Sequence, residues 1–196
     1  MSSPRSPEAE RLLGLVVEHI LNHGVQGVTL HALARAAGSN NRMLLYYFGS
    51  KEALISQAIY AAYDRSPGLH QLLPQLKEEG ELAQRLCRGW RTLRARENRA
   101  FLRLFFEMFA IAIRQPESHS RYLLELRDRW YTEIETAFLV HGWESRAAGN
   151  AALQLLALWR GLQFSLLAGS DTDALDSAHD TAVAVLLTTS AASPTR

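Results

Sequence analysis

Residues 28–55 read VTLHALARAAGSNNRMLLYYFGSKEALI, and the spacing of capping residues, glycines and apolar side chains in this stretch decides the fold. Thr29 is placed to cap a short helix through Ala37, and Gly38 to end it in the left-handed conformation that lets the chain turn sharply. Ser39 or Asn40 then caps a second short helix running to Phe48. After Gly49, Ser50 caps a longer helix from Lys51 to about Arg65, with Leu54, Ala58, Ala61 and Ala62 on its inward side. Helices of only about eight residues do not hold alone, so these must pack on their neighbours. Leu30, Leu33, Ala34, Ala37, Leu44, Leu45 and Phe48 supply the apolar surface. Helix, glycine turn, helix is the geometry of a helix-turn-helix, which sets the second short helix into a major groove.

Upstream, Leu12, Val16 and Ile20 recur four apart, with Leu13 and Val17 widening the stripe, so Pro7–His23 is a first helix that Gly24 stops. Downstream, Ser66-Pro67-Gly68 is the clearest break, because proline and glycine cannot continue the fourth helix. The expected organisation is a helix-turn-helix domain over residues 1–65 and a second helical domain over residues 66–196. With breakers at Pro74, Gly80, Pro116, Gly142 and Gly169, helices are expected near 68–79, 81–95, 97–115, 117–140, 144–168 and 172–190. No alternating strand pattern competes, so the fold class is all-α: a three-helix helix-turn-helix domain followed by a helical bundle. The tail from Ser190 is expected to fray.

Composition excludes several classes. With 47% hydrophobic residues the chain of 196 residues can bury a full core, and its single cysteine, Cys87, rules out a disulfide framework or a thiolate metal cluster. The start, MSSPRSPEAER, is polar, and the later apolar runs are broken by Arg, Gln or Glu before a membrane span is reached. A cytoplasmic protein without membrane association is expected. The net charge of +1 says little, but its distribution does. No carboxylate lies between Glu18 and Glu52, a stretch that carries Arg35, Arg42, Lys51, His19, His23 and His31. Phosphates would meet little repulsion there.

The block from Val28 to Ile55 resembles the DNA-binding signature of the TetR family of bacterial transcriptional repressors. The features that carry the resemblance are Thr29 opening the second helix, Ala37-Gly38 ending it, Tyr46-Tyr47-Phe48 closing the recognition helix, and Ser50-Lys51-Glu52-Ala53-Leu54 opening the fourth. The match covers about the first 60 residues. The family usually has Leu-Tyr where this chain has Leu44-Leu45, and often histidine at Tyr47. A phosphate-contacting phenol normally placed at Leu45 must here come from Tyr46 or Tyr47.

Duplex recognition needs cations and donors for phosphates, and planar or amide side chains for base edges. Asn41 and Arg42 lie at the start of the recognition helix and are the expected base readers. His31 can add a base or phosphate contact. Thr29, Ser39, Asn40, Tyr46, Tyr47 and Lys51 are suited to phosphates, and Met43 to a thymine methyl. Three consecutive aromatics cannot all face DNA on a helix, so Phe48 is assigned to the core.

In the second domain Tyr122, Leu126, Trp130, Ile134 and Phe138 repeat every four residues, and the segment from Phe101 to Ile113 is apolar almost all round. Such surroundings suit an apolar or aromatic small molecule, with Trp90, Phe105, Phe109, Trp130 and Tyr131 as candidate contacts, although core packing explains the same stripes. The helix from Ala151 to Ala168 is too apolar to stand uncovered. It and the last helix are expected to form a four-helix interface in a homodimer through Leu155, Trp159, Arg160, Leu162, Leu175, Ala178, Ala182 and Leu186, as TetR-like proteins dimerise. Arg160 is open between an interface ion pair, a ligand contact and plain surface. The seven arginines between Arg85 and Arg103 read as solvated faces or, alternatively, as an anion site.

The expectation is therefore a ligand-responsive repressor that binds a near-palindromic double-stranded operator as a dimer and is released by a small-molecule effector. It needs no cofactor and no catalysis. The resemblance implies that ligand entry shifts the fourth helix. Two alternatives stand beside it: the same DNA domain in an activator or global regulator, and an enzyme or carrier built on a helical bundle. The second lacks any Glu-x-x-His pair, Gly-rich phosphate loop or Ser-His-Asp arrangement to support it.

Overall fold

A computed structural model describes residues 6–190, with the side chains of 116–127 and 189–190 excepted. Among the described residues the chain is all helical, with ten α-helices and a single 3-10 turn at Arg96–Asn98. The helices are α1 Pro7–His23, α2 Leu30–Ala36, α3 Asn41–Phe48, α4 Lys51–Arg65, α5 Leu69–Leu76, α6 Leu82–Arg94, α7 Arg99–Arg114, α8 Pro116–Val140, α9 Ser145–Leu167 and α10 Thr172–Ser190. No helix among the described residues is long and apolar enough to cross a membrane.

The chain divides into two compact units. One runs to Ser66 and includes Ala100–Tyr122; the other joins Pro67–Arg99 to the residues from Leu123 onward. The first unit thus takes most of α7 beside α1–α4. Its core is the stripe read from the sequence: Leu12, Leu13, Val16, Val17 and Ile20 of α1 are buried against α4, with Leu33, Leu44, Phe48, Leu54, Ala58 and Ala62. Tyr63 meets Phe101 of α7 with ring centroids 5.7 Å apart. Ala61 is half-buried at the edge of this core. Each of α1–α4 starts on a side-chain cap: the oxygens of Ser6, Thr29, Asn40 and Ser50 accept from the amides of Ala9, Ala32, Met43 and Ala53 at 3.0–3.3 Å.

In the second unit α5 packs on α6, and α9 and α10 pack on α6 and on each other. Pro74, expected as a breaker, lies inside α5; the helix nonetheless ends soon after it, at Leu76. Asn98 is fully buried, and its amide donates to the carbonyls of Pro67 and Thr92 at 3.0 and 2.8 Å, tying the Ser66-Pro67-Gly68 break to the end of α6. The interior of this unit is partly polar. Trp90 Nε1 donates to Asp176 at 2.8 Å, and Trp159 Nε1 donates to His179 Nε2 at 3.1 Å. That second bond makes Nε2 an acceptor, so the ring proton sits on Nδ1 and points at Asp180 Oδ1, 3.0 Å away. The repeat along α8 puts Trp130, Ile134 and Phe138 inward; the side chains of Tyr122 and Leu126 lie outside the described residues.

Candidate nucleic-acid interface

The turn between α2 and α3 is built on Gly38, at φ 61°, a left-handed value that side chains with a Cβ rarely adopt. A Cβ there would meet nothing within 4 Å, so the glycine is required by the backbone and not by crowding. The turn swings α3 so that Leu44 and Phe48 point into the core while Asn41, Arg42, Leu45 and Tyr46 face solvent. Tyr46 is 77% exposed. Thr29, His31 and Asn40 are also exposed, and Ser39, Met43, Tyr47 and Lys51 are half-buried, so all ten candidate contacts reach the surface of one unit.

Two of these residues have a double chemistry. Thr29 and Asn40 spend an oxygen as acceptor in their caps. The Thr29 hydroxyl proton and the Asn40 NH2 group are still donors, which is what a phosphate oxygen requires. Lys51 is less free than its position suggested, since its Nζ reaches the Val28 carbonyl at 3.4 Å and Glu52 at 3.8 Å, clasping the loop ahead of α2. Among the described residues no hydrogen bond or ion pair engages the Arg42 side chain.

Leu45 corrects the sequence reading. It was counted among the packing residues, yet it is 43% exposed, because one turn beyond Asn41 it shares the outward face of α3. The signal was available: an eight-residue helix that buries Leu44 and Phe48 must turn Leu45 away. Arg35, also exposed, adds a cation to the basic set, and it lies close enough to His19 to lower its pKa behind the larger effects of burial and of His23. His19 and His23 stack at 4.6 Å.

The candidate ligand contacts do not gather in one unit. Phe105 and Phe109 belong to the first, stacked at 6.1 Å with Phe105 buried and Phe109 exposed. Trp90, Trp130 and Tyr131 belong to the second. Trp130 is edge-on to Trp159 at 6.5 Å and lies beneath the Arg160 guanidinium at 5.1 Å, while Tyr131 Oη donates to Glu135 at 3.3 Å. A cleft between α5 and α6, lined by Leu72, Gln75, Leu76, Arg85, Arg88 and Gly89, has a volume of about 10 Å³, room for one water, and includes none of the candidates.

The expected interface residues divide by burial. Leu155, Trp159, Leu162, Leu175 and Leu186 are buried within the second unit, so the subunit's own core already covers them. Arg160 and Ala182 are half-buried, and only Ala178 is exposed. The richest apolar stripe of α9 is drawn inward against α6 and α10 because it has the most to gain from leaving water. What stays outside is a second, thinner stripe: Leu153, Ala157, Gly161 and Phe164 on α9, with Ala178, Thr181 and Val185 on α10. Leu153, Phe164 and Val185 are 60%, 64% and 58% exposed.

Residues 17–58 match the family model of the bacterial regulatory proteins of the tetR family. No curated protein matches the sequence. Among solved structures, a transcriptional regulator from Rhodococcus sp. Rha1 superposes with a TM-score of 0.75 at 19% identity, over 95% of this chain and 99% of that one. A TetR-family regulator from Mesorhizobium loti gives 0.71 at 16% identity, over 96% and 98%. A transcriptional regulator from Saccharomonospora viridis in complex with choline gives 0.67 at 20% identity, over 88% and 93%. All three are described as transcriptional regulators, and at such identities the likeness speaks for the fold alone. Residues 17–58, which carry the helix-turn-helix, are thus similar to the tetR family of bacterial regulatory proteins, and the all-helical fold is shared along almost the whole chain with structures described as transcriptional regulators.

Proposed function

We propose that the protein is a ligand-responsive repressor that binds a near-palindromic operator as a homodimer and lets go when a small molecule enters its second domain. The observation that carries this reading is the outward face of α3, where Asn41 and Arg42 stand exposed at the first turn with Tyr46 a turn further on. An arginine can pair with guanine and an asparagine with adenine through two hydrogen bonds each, and the phenol and the cap donors suit the flanking phosphates. Two copies related by a twofold axis would set their recognition helices about 34–36 Å apart, one turn of DNA. The open stripe of Leu153, Phe164 and Val185 is the surface we assign to the partner.

Residues 1–65 serve as the DNA-binding domain and residues 66–196 as the sensing and dimerising one, in the cytoplasm. The choline bound by the Saccharomonospora viridis regulator supports a small-molecule site on this fold. Here the effector is apolar or aromatic, with Trp90, Phe105, Phe109, Trp130 and Tyr131 as the contacts to test first. Such a ligand must favour the DNA-incompetent state by the same factor by which DNA disfavours the ligand.

The test is selection of duplexes from a random pool by the full chain, followed by footprinting of the selected site. Arg42→Ala should weaken binding by about 1–3 kcal/mol and relax base preference at one position per half-site, with the dimer intact. Unchanged affinity would remove Arg42 from the interface, and failure to enrich any duplex would end the repressor reading.

A further inference from the structure

Glu107 lies on α7, far from the recognition helix in sequence and outside every DNA-contact set considered above. Its Oε1 accepts hydrogen bonds from two consecutive backbone amides of the turn between α1 and α2: Val25 at 2.9 Å, and Gln26, which it also holds closely. The neighbouring Gly24 has φ 77°, and a Cβ on it would fall 2.5 Å from Glu107 Oε2. The carboxylate therefore sits in a cradle that only glycine leaves open. Val25 is buried beside it.

This placement is not explained by helix stability. Glu107 lies at the C-terminal end of α1, where the macrodipole is negative and a carboxylate is disfavoured. What holds it there is the pair of amide donors, which follow the helix end and would otherwise need solvent or another acceptor. The turn has little slack, because only residues 24–29 separate the end of α1 from the start of α2. It is gripped at two points, by Glu107 on Val25 and Gln26 and by Lys51 Nζ on the Val28 carbonyl. The direction of α2, and through the Gly38 turn that of α3, follows from how this short segment is held.

We propose that Glu107 is a positioning residue for duplex recognition, a latch by which α7 fixes the α1–α2 turn and so the angle at which α3 presents Asn41 and Arg42. It touches no DNA and acts through backbone amides. The proposal rests on the repressor reading. It also gives α7, which carries the candidate ligand contacts Phe105 and Phe109, a direct grip on the DNA-binding helices.

The substitutions that test it are Glu107→Ala, which removes the acceptor, and Glu107→Gln, which keeps it, because both bonds end on the single atom Oε1. Each full-length variant is compared with wild type for the exchange rates of the Val25 and Gln26 amides, and for affinity toward the duplex that wild type selects, well below the unfolding temperature. Glu107→Ala should speed exchange of these two amides and weaken the duplex by between about twofold and about thirtyfold, with Glu107→Gln restoring most of both. Faster exchange with affinity within twofold of wild type would reduce the contact to a local brace and overturn the proposal. So would unchanged exchange, or a Glu107→Gln variant as weak as alanine. Failure of wild type to select any duplex would instead sink the repressor reading, and the proposal with it, while the exchange data still report on the latch itself.

Discussion

Replacing His179 with alanine should cost the fold about 3–6 kcal/mol, a large fraction of what a domain of this size has to lose. The ring is fully buried on α10, stacked at 5.6 Å and 14° on Trp90, with Nε2 accepting from Trp159 and Nδ1 donating to Asp180. Deleting the imidazole opens a cavity, for which about 2–3 kcal/mol is a fair scale. It also strands the indole N–H of Trp159, itself buried, at about 1–3 kcal/mol more. His179→Leu separates the two contributions, because it refills most of the volume while removing the acceptor for Trp159 and the donor to Asp180, whose carboxylate is exposed to water; it should lose about 1–3 kcal/mol. Burial holds the His179 pKa below its ordinary 6.5, against Asp180 and Asp176, which pull it upward. The unfolded chain therefore takes up this proton at a higher pH than the folded one does. The resulting stabilisation is complete above about pH 6.5 and declines as the pH falls beneath it. His19, also held below its ordinary value, acts in the same direction, so the signature of His179 is the difference between wild type and His179→Leu. Denaturant titrations by circular dichroism at fixed protein concentration, at pH 7.5 and 5.5, measure all of this. Equal losses for the alanine and leucine variants, or an unaltered pH dependence in His179→Leu, would refute the account.

Asn40→Ala should lower stability by about 1 kcal/mol through loss of the cap on α3, read by thermal unfolding, while Asn40→Ser retains most of it. Gly89→Ala, although favourable for a helix interior, would set a Cβ 3.2 Å from Trp159 Cη2; because that indole is anchored at Nε1, the net effect should be a loss of about 1–3 kcal/mol in chemical denaturation. Cys87 has its pKa pushed up to about 11, by burial first and then by Asp180, so iodoacetamide should label it far more slowly at pH 8 than a free thiol, and Asp180→Asn should speed the labelling.

The parts of this fold that were legible in the sequence are those fixed within a few residues. Thr29, Asn40 and Ser50 stand immediately before helices whose amides they cap, and Gly38 stands where the backbone needs a positive φ. Such signals depend on one turn of chain, and the family resemblance is made of the same residues. Leu45 was misplaced because leucine is read as inward by composition, whereas in an eight-residue helix the direction is set by Leu44 and Phe48. The stripe on α9 could not be oriented from the sequence for a related reason. Both of its faces are apolar, and nothing local says which one α6 and α10 will cover. Glu107 gave no signal at all, since its partner Val25 is 82 residues away and a backbone amide has no identity in the sequence. The His179 network was likewise invisible, joining α6, α9 and α10 through atoms that only packing brings together.

A chain with 21 basic and 20 acidic side chains gains nothing from bulk charge when it approaches DNA, so its affinity must come from local arrangement. Between Glu18 and Glu52 there is no carboxylate, and on the proposed reading the polar residues are shared between folding and recognition. Thr29 and Asn40 use an oxygen to close a helix and keep a donor outward, and Lys51 clasps the Val28 carbonyl while standing beside the same surface. Substituting any of these alters the helix-turn-helix as well as its contacts, so a loss of binding there cannot be assigned to a lost phosphate. Arg42 and Tyr46 have no such second duty: they are exposed, they cap nothing, and the helix they sit on is held by Leu44, Phe48 and Asn40. On the proposed repressor reading, specificity therefore rests on side chains that the fold can spare, mounted on a scaffold whose own residues supply the less specific grip on the backbone. That division leaves base preference free to change at Arg42 without disturbing the caps, while the strength of the grip remains tied to the stability of two very short helices.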